Sequence, residues 1–296
     1  MTLDASLVSW RTTIDAALDE MLQPNDEAPA RLLEAMRYAV FSGGKRLRPV
    51  LVLAACEAVG GASAPAVPFG CAIELIHTYS LVHDDLPAMD DDDLRRGRPT
   101  VHIVFGEAMA VLTGDALLTA AFRVAAEGAA KSGLAPDRTL AIITAIAGAA
   151  GECGMVGGQV QDLEAAGKPA DLALVEAIHR QKTGALLGVA VETGALAGGA
   201  TGPTLHALRS FGGALGLAFQ IADDILDAAP TAVTGKRAGR DAEQQKATYP
   251  AVLGVDGARR VARDLMEQCH AALEPLGPAG DRLRALASFV VERATA

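Results

Sequence analysis

The sequence predicts an all-α protein in which residues 1–296 form a single domain of stacked helices with short connections. Half of the 296 residues are hydrophobic, which is enough for a sizeable core. Only 4 % are aromatic, so the packing must come from Ala, Leu and Val, and Ala and Leu are strong helix formers. The alternating, β-branched segments that predict strands do not occur in the sequence.

Helical segments follow one another along the chain, separated by glycine and proline. In the first segment, Leu32, Leu33, Met36 and Val40 recur at the spacing of one helix face. The second segment is largely apolar and is stopped near Pro87, because proline removes a backbone donor and clashes with the preceding turn. The predicted helices span residues 28–41, 66–86, 107–130, 137–153, 171–198, 204–227, 256–274 and 279–294.

Composition excludes several classes of function. The formal net charge of −10 argues against a nucleic-acid partner, since phosphate backbones require Lys and Arg. Cys56, Cys71, Cys153 and Cys269 form no C-x-x-C pair, so we expect reduced, mostly buried thiols rather than a zinc site or a disulfide framework. The N-terminus lacks a signal pattern, and no apolar run approaches the roughly 20 residues of a membrane span. We therefore expect a cytoplasmic protein.

The first acidic motif places six aspartates within residues 84–93. At about 4 Å, one like-charge pair costs roughly 4 kcal/mol at an effective dielectric near 20, so these side chains need cations or full solvation. Pro87 disrupts the helix, which lets the chain curl and bring Asp90 back to Asp84. Oxygen-only ligands suit a hard ion such as Mg²⁺. For this motif alone, a solvated acidic surface remains an alternative.

The second acidic motif fits an intact helix. Asp223 and Asp227 lie one turn apart on the same face, and Gln220 lies one turn before them. Two such clusters can face each other across a bundle and hold roughly two or three Mg²⁺ ions on one diphosphate. The alternative for this motif alone is a helix end or an acidic surface.

Basic residues are scarce, so their clustering is informative. In the segment GGKRLRP, Gly43 and Gly44 let the backbone approach a ligand, while Lys45 and Arg48 can bind a diphosphate. Further basic residues follow the acidic motifs or lie between them, and they are Arg95, Arg96, Lys182, Lys236 and Lys246.

These motifs together resemble the polyprenyl diphosphate synthases, and most closely the bacterial short-chain farnesyl type. The resemblance rests on GGKRLRP, HTYSLVHDDLPAMDDDDLRRGRPTVH, GMVGGQVQD, QKTGALL, FQIADDILD and GKRAGRDAEQQKATYP. It implies an isoprenoid synthase fold, a bundle of about ten or more helices around a central cavity. It also implies a homodimer, for which the apolar helix 107–130 can supply a face, although that helix can equally be core.

The resemblance implies a role for each motif residue. The implied ligands of Mg²⁺, which Mn²⁺ can replace, are Asp84, Asp90, Asp223 and Asp227, supported by Asp85 and Asp224. The implied catalytic residues are Asp84, Asp85, Asp90, Lys182 and Asp223. The residues implied to bind the allylic diphosphate are Arg95, Lys182 and Lys236. Those implied to bind isopentenyl diphosphate are Lys45, Arg48, His77 and Arg96. The remaining substrate contacts are Gly44, Gln159, Asp162, Thr183, Gln220 and Lys246.

The implied reaction is the head-to-tail (1′-4) condensation of isopentenyl diphosphate with dimethylallyl and geranyl diphosphate, which releases diphosphate. The alternatives are a geranylgeranyl or geranyl diphosphate synthase, a type I terpene cyclase and a regulatory subunit of a heteromeric synthase. A cyclase needs no second basic site, and its second metal motif usually mixes Asn, Ser and Glu. A regulatory subunit tends to lose an acidic motif, whereas both motifs are complete here.

Product length is expected to depend on Tyr79, with Ser80 beside it. Tyr79 lies five residues before Asp84, about 7.5 Å back along a helix axis, where its ring can close the floor of a pocket for the growing tail. An aromatic residue at this position, together with the extra residues Pro87 and Ala88, resembles the bacterial farnesyl type. The alternative is that Tyr79 is an ordinary core aromatic residue.

Overall fold

A computed structural model describes residues 3–24, 26–228 and 246–295 and confirms the all-helical prediction. Within these ranges the chain is built from α-helices, joined by two short 3₁₀ segments, one π-helical turn and one pair of two-residue strands. The described residues divide into two compact units. The first consists of residues within 1–53 and 63–143, and the second of residues within 54–62 and 144–296.

The first unit is built around a buried helix that ends at the first acidic motif. Its elements are α1 (Leu3–Met21), α2 (Ala30–Val40), the first part of α3 (Leu47–Ala58), a 3₁₀ segment (Ala64–Ala66), α4 (Val67–Asp84), β1 (Leu94–Arg95), β2 (Arg98–Pro99), α5 (Val101–Phe105), α6 (Glu107–Lys131) and the first part of α7 (Pro136–Ala150). Helix α4 packs against α6, and α1 and α2 also contact α4.

Close approach of α4 and α6 depends on a helical glycine. A Cβ atom added at Gly128 would lie 2.1 Å from Cβ of Pro68, far inside the contact distance of two carbon atoms. Apolar residues of α4 such as Phe69, Ile73 and Leu75 are fully buried. The position of Asp84 at the end of α4 is therefore fixed by a well-packed helix rather than by a loop.

The second unit carries the second acidic motif on its longest helix. Its elements are the last parts of α3 and α7, α8 (Met155–Ala165), α9 (Leu172–His179), a π-helical turn (Arg180–Gly184), α10 (Ala185–Ala197), α11 (Gly202–Ala228), α12 (Tyr249–Ala272), a 3₁₀ segment (Glu274–Gly280) and α13 (Asp281–Thr295). Helix α11 packs against α10 and α12, and α8 packs against the π-helical turn.

The structure corrects three details of the sequence prediction. The predicted helix 171–198 is interrupted by the π-helical turn, and helices α1, α3, α5 and α8 were not predicted. The strands β1 and β2 pair antiparallel and were missed because two residues are too few to show an alternating pattern. Among the cysteines, Cys56, Cys71 and Cys269 are buried thiols as expected, and Cys153 is exposed.

Two stretches of the chain have the length and composition of a membrane span. They are α6 and the stretch Pro136–Ala165, which contains α7 and α8. The expectation that no apolar run approaches span length is therefore wrong for these stretches, because their isolated charges leave long apolar windows. Core helices of soluble proteins pass the same test, and 44% of the apolar window within α6 is buried inside the protein.

Candidate active site

The first acidic motif forms a compact turn at the end of α4. The backbone N–H of Asp90 donates to the carbonyl of Asp84 at 2.8 Å, and the N–H of Asp92 donates to the carbonyl of Asp85 at 3.1 Å. The chain therefore curls back after Pro87, as its sequence predicted. Asp84 and Asp90, the two predicted metal ligands, become neighbours in this turn, and both side chains are half-buried.

Asp85 differs from Asp84 because its carboxylate is buried and paired. Its side chain is 5% exposed, and Arg95 Nε donates to Oδ1 at 2.7 Å and to Oδ2 at 3.0 Å. Burial raises the pKa of Asp85, although Arg95 opposes this change. Burial alone would lower the pKa of Arg95, but the hydrogen bonds and charge of Asp85 raise it. The pair thus holds Arg95 in place beside the acidic turn.

A tight hairpin delivers Arg95 and Arg96 to this site. The strand residues Arg95 and Arg98 are paired, and the two residues between them, Arg96 and Gly97, have φ values of 54° and 77°. Positive φ at both central residues is the signature of a type I′ turn, which matches the twist of the flanking strands. The hairpin places two consecutive arginines, predicted to bind two different substrates, against different partners. Arg95 bonds Asp85, and Arg96 bonds the carbonyl of Gly43.

A cavity in the first unit brings three of the predicted binding residues together. Burial, and then the charges of Arg48, Arg96 and Arg95, lower the pKa of His77 well below its usual value of 6.5, so the imidazole is neutral at pH 7. Residues from α2, α4, the hairpin and α5 line the cavity, among them His77, Glu74, Thr78, Asp85, Arg95 and Arg96. The cavity therefore brings two arginines and two carboxylates together around a neutral imidazole ring.

The glycine-rich loop lies directly against Arg96. The Arg96 guanidinium donates to the carbonyl of Gly43. Gly44 has a φ of 137°, and a Cβ atom added there would lie 2.7 Å from Arg96 Nη1. Its backbone angle therefore favours glycine, whereas the contact is with the mobile end of the Arg96 side chain. Lys45 is exposed and Arg48 is half-buried, but neither is among the residues that line the cavity.

Arg46, within the same loop, was not predicted to have a role. Its side chain is 6% exposed, and Nη1 bonds Glu74 Oε1 of α4 at 2.9 Å, where Glu74 is 4% exposed. Arg46 Nε also bonds Asp15 Oδ1 of α1 at 2.8 Å, and Nη2 donates to the carbonyl of Val40 at 2.8 Å. Arg46 therefore ties the glycine-rich loop to three helices, although its sequence context resembles that of the neighbours predicted to bind substrate.

The second acidic motif lies within α11, with Asp223, Asp224 and Asp227 in intact helix as predicted. Asp223 is exposed, Asp227 is half-buried and Asp224 is only 3% exposed. Asp224 pairs with Nε2 of His179 at 2.7 Å through Oδ2, accepts from Gln220 Nε2 at 2.9 Å through Oδ1, and accepts from the backbone N–H of Tyr249 at 3.1 Å. Adjacent aspartates in one motif thus have opposite surroundings.

The π-helical turn presents the predicted basic and hydroxyl groups of the second unit. Lys182 Nζ lies 2.6 Å from Oδ2 of Asp162 on α8, and Thr183 Oγ1 donates to Gln220 Oε1 at 2.7 Å. Helix α8 approaches closely because a Cβ at Gly158 would lie 2.2 Å from the backbone nitrogen of Lys182. π-Helical turns are rare and are found frequently at functional sites.

The remaining predicted residues lie in both units or outside the described ranges. Tyr79 is 7% exposed and its ring contacts that of His83, with centroids 5.8 Å apart, while Ser80 Oγ donates to the carbonyl of His77 at 2.9 Å. In the second unit, Lys246 is half-buried, and the amide atoms of Gln159 have no hydrogen-bond partner among the described residues. Lys236 lies outside the described residues.

The donor atoms at both acidic motifs fit a hard divalent cation. Within residues 3–24, 26–228 and 246–295, no three His, Cys, Asp or Glu side chains come close enough to hold a metal ion by themselves. The ligands offered are carboxylates alone, without thiol or imidazole, and Mg²⁺ usually takes one or two carboxylates and completes its shell with water and substrate phosphates. The acidic motifs therefore offer ligands that suit Mg²⁺, and the cavity of the first unit is lined by Arg95 and Arg96.

Comparison with known proteins identifies the family. The polyprenyl synthetase family model matches residues 29–275. A farnesyl diphosphate synthase from Geobacillus stearothermophilus is 47% identical over 88% of this chain and 87% of its own length. A chloroplastic geranylgeranyl pyrophosphate synthase from Arabidopsis thaliana is 47% identical over 95% of this chain and 79% of its own length. The solved structure of an FPP/GFPP synthase from Zymomonas mobilis matches with a TM-score of 0.88, 42% identity and 98% coverage of both chains. The chain therefore belongs to the polyprenyl synthetase family and is a prenyltransferase with the isoprenoid synthase fold.

The buried ion pair of Arg46 leads to a prediction about stability. Arg46→Ala leaves the carboxylate of Glu74 buried without its guanidinium, and removing one partner of a buried pair typically lowers the free energy of unfolding by about 3–5 kcal/mol. The matched control is Arg123→Ala, which removes an exposed pair with Glu127 on α6, a change worth roughly 0.3–0.5 kcal/mol. Urea denaturation monitored by circular dichroism measures both variants. Equal losses of stability would show that Arg46 does not anchor the loop.

Proposed function

We propose that this prenyltransferase condenses isopentenyl diphosphate with dimethylallyl and then geranyl diphosphate, and that farnesyl diphosphate is its main product. The observation that carries the proposal is the placement of the Asp84–Asp90 turn beside the arginine-lined cavity of the first unit. The similarity to a farnesyl diphosphate synthase supports this product, and the equally similar geranylgeranyl pyrophosphate synthase makes the longer product the alternative.

We assign the diphosphate groups by the charges that each residue presents. His77, Arg96, Lys45 and Arg48 bind isopentenyl diphosphate, and the neutral ring of His77 serves as a hydrogen-bond donor rather than a charge. Arg95 and Lys182 bind the allylic diphosphate. Asp85 and Asp162 hold these two cations in fixed positions, which reduces the reorganisation needed when charge develops on the leaving group.

Asp84, Asp90 and Asp223, with Asp227 beside it, are the residues that would hold Mg²⁺. Bound Mg²⁺ supplies positive charge that stabilises the departing diphosphate. The chain itself excludes water from the allylic carbocation through its apolar helix faces, so that the double bond of isopentenyl diphosphate is the nucleophile available. A proton then leaves the new carbocation, and the released diphosphate is the base that accepts it.

We also propose that the enzyme is a cytoplasmic homodimer without a membrane span. Apolar residues remain exposed on the first unit at Ile103, Val104, Val111 and Leu112, where α5 leads into α6, and burial of this surface by a second copy would stabilise a dimer. Light scattering at micromolar concentration distinguishes a monomer from a dimer. We expect the mass of a dimer, and a monomeric mass would exclude a stable dimer.

Product analysis after incubation with isopentenyl and dimethylallyl diphosphate tests the proposed function. We expect a linear farnesyl diphosphate in the presence of Mg²⁺ or Mn²⁺ and no turnover after chelation. Asp84→Ala and Asp223→Ala should each lower turnover by about a hundredfold or more, because each removes a ligand, whereas Asp93→Ala removes an exposed carboxylate that has no assigned role. A cyclic hydrocarbon, or activity without divalent metal, would contradict the proposal.

Replacement of Tyr79 tests the origin of product length. The buried ring of Tyr79 contacts the ring of His83, whose Nε2 lies 3.1 Å from the carbonyl of Val111 on α6. Tyr79→Ala removes this volume and should shift the main product to geranylgeranyl diphosphate or longer chains.

Tyr79→Phe is the matched control, because it keeps the ring and should keep the farnesyl product. Mass spectrometry of the diphosphates, or of the alcohols after phosphatase treatment, measures both variants. An unchanged product from a folded and active Tyr79→Ala enzyme would place the floor of the tail pocket elsewhere.

A further inference from the structure

The carboxylate of Asp224 is buried and makes three hydrogen bonds with the protein. Asp224 is 3% exposed and lies on α11 between the exposed Asp223 and Ile225, which is buried. Its Oδ2 is bonded both to His179 Nε2 at 2.7 Å and to the backbone N–H of Tyr249 at 3.1 Å. Its Oδ1 accepts from Gln220 Nε2 at 2.9 Å. A carboxylate oxygen has two lone pairs, so Oδ2 is fully used by these donors.

We propose that Asp224 is a positioning residue and not a metal ligand, and that it holds the π-helical turn and the start of α12 in place against α11. This inference rests on the proposed function only in taking the adjacent Asp223 as the metal ligand of the motif. If this buried carboxylate turned outward to a metal ion, it would lose its three hydrogen bonds. The donors of His179, Gln220 and Tyr249 would then be left without this partner.

Each bond of Asp224 leads to an element that carries a substrate-binding residue. His179 is the last residue of α9, three residues before Lys182 in the π-helical turn. Gln220 continues the network to Thr183 in the same turn, through a bond of 2.7 Å. Tyr249 begins α12, three residues after Lys246, and its ring contacts that of His179 with centroids 5.5 Å apart. Loss of Asp224 should therefore displace Lys182, Thr183 and Lys246 together.

An asparagine at position 224 distinguishes positioning from metal ligation. The amide oxygen of Asn can accept from His179 and Tyr249, and its NH₂ group can donate to Gln220 after the Gln220 amide flips. The flipped Gln220 then donates to the hydroxyl of Thr183, which can donate in turn to the carbonyl four residues earlier. The bonds from His179 and Tyr249 keep their direction and the bonds through Gln220 to Thr183 are reversed, whereas a neutral amide is a poor substitute for a carboxylate that binds Mg²⁺.

The experiment compares Asp224→Asn, Asp224→Ala and Asp223→Asn in the full chain. The first measurement is the thermal midpoint without metal or substrate. We expect Asp224→Ala to lower it by about 4–8 °C, whereas Asp224→Asn and the exposed Asp223→Asn should stay within roughly 2 °C of wild type. The second measurement counts Mn²⁺ ions bound in the presence of inorganic diphosphate by electron paramagnetic resonance. We expect Asp223→Asn to lose an ion and Asp224→Asn to bind the wild-type number.

Kinetics provide the third measurement. In Asp224→Asn, turnover should fall by at most about tenfold, against about a hundredfold or more in Asp223→Asn. If Asp224→Ala folds, its KM should rise for the allylic diphosphate more than for isopentenyl diphosphate, since Lys182 moves. If it does not fold, Asp224→Asn still decides the question through its ion count and midpoint.

Two results would overturn the inference. One is an Asp224→Asn enzyme with a wild-type midpoint that loses a Mn²⁺ ion as Asp223→Asn does, which would make Asp224 a ligand. The other is an Asp224→Ala enzyme with an unchanged midpoint and unchanged kinetics. Failure of the proposed function is separable, because a wild-type protein that forms no prenyl diphosphate still reports on Asp224 through the metal-free midpoint.

Discussion

The cost of burying a carboxylate without a cationic or hydrogen-bonding partner organises both acidic motifs of this protein. In each motif the second of two consecutive aspartates is buried and satisfied internally, Asp85 by Arg95 and Asp224 by His179. The first aspartate of each pair, Asp84 or Asp223, has more solvent exposure. The same local sequence therefore places one carboxylate within the protein framework, and we assign its more exposed neighbour to a cation. This arrangement reconciles an acidic protein with the binding of a diphosphate.

Several basic side chains are likewise held by carboxylates of the protein itself. Arg95 and Lys182, which we assign to the allylic diphosphate, each have a nearly buried aspartate as a fixed partner, Asp85 and Asp162. Arg46 is used only inside the protein, although it lies between two residues assigned to isopentenyl diphosphate. Cations held in advance by carboxylates need little rearrangement when the leaving group develops charge, which is how electrostatic preorganisation lowers a barrier.

Much of the fold could be predicted because helical periodicity is local. The boundaries of α4, α6 and α11 follow from apolar spacing and from Pro87, and the return of Asp90 to Asp84 follows from that proline. The π-helical turn, the partners of Arg46 and the burial of Asp224 could not be predicted, because they depend on residues 20 to 45 positions away in sequence. The strands of two residues are too short for any periodic signal. The pattern GKRLR gives no sign that only some of its cations face a ligand.

The division of labour within each aspartate pair is tested most directly by a crystal structure with Mn²⁺ and inorganic diphosphate, in which anomalous scattering locates the metal ions. The account predicts manganese on the carboxylates of Asp84, Asp90 and Asp223. It also predicts that the Asp85–Arg95 and Asp224–His179 bonds persist unchanged in that crystal. A manganese ion coordinated by Asp85 or Asp224, with either of these bonds broken, would contradict it.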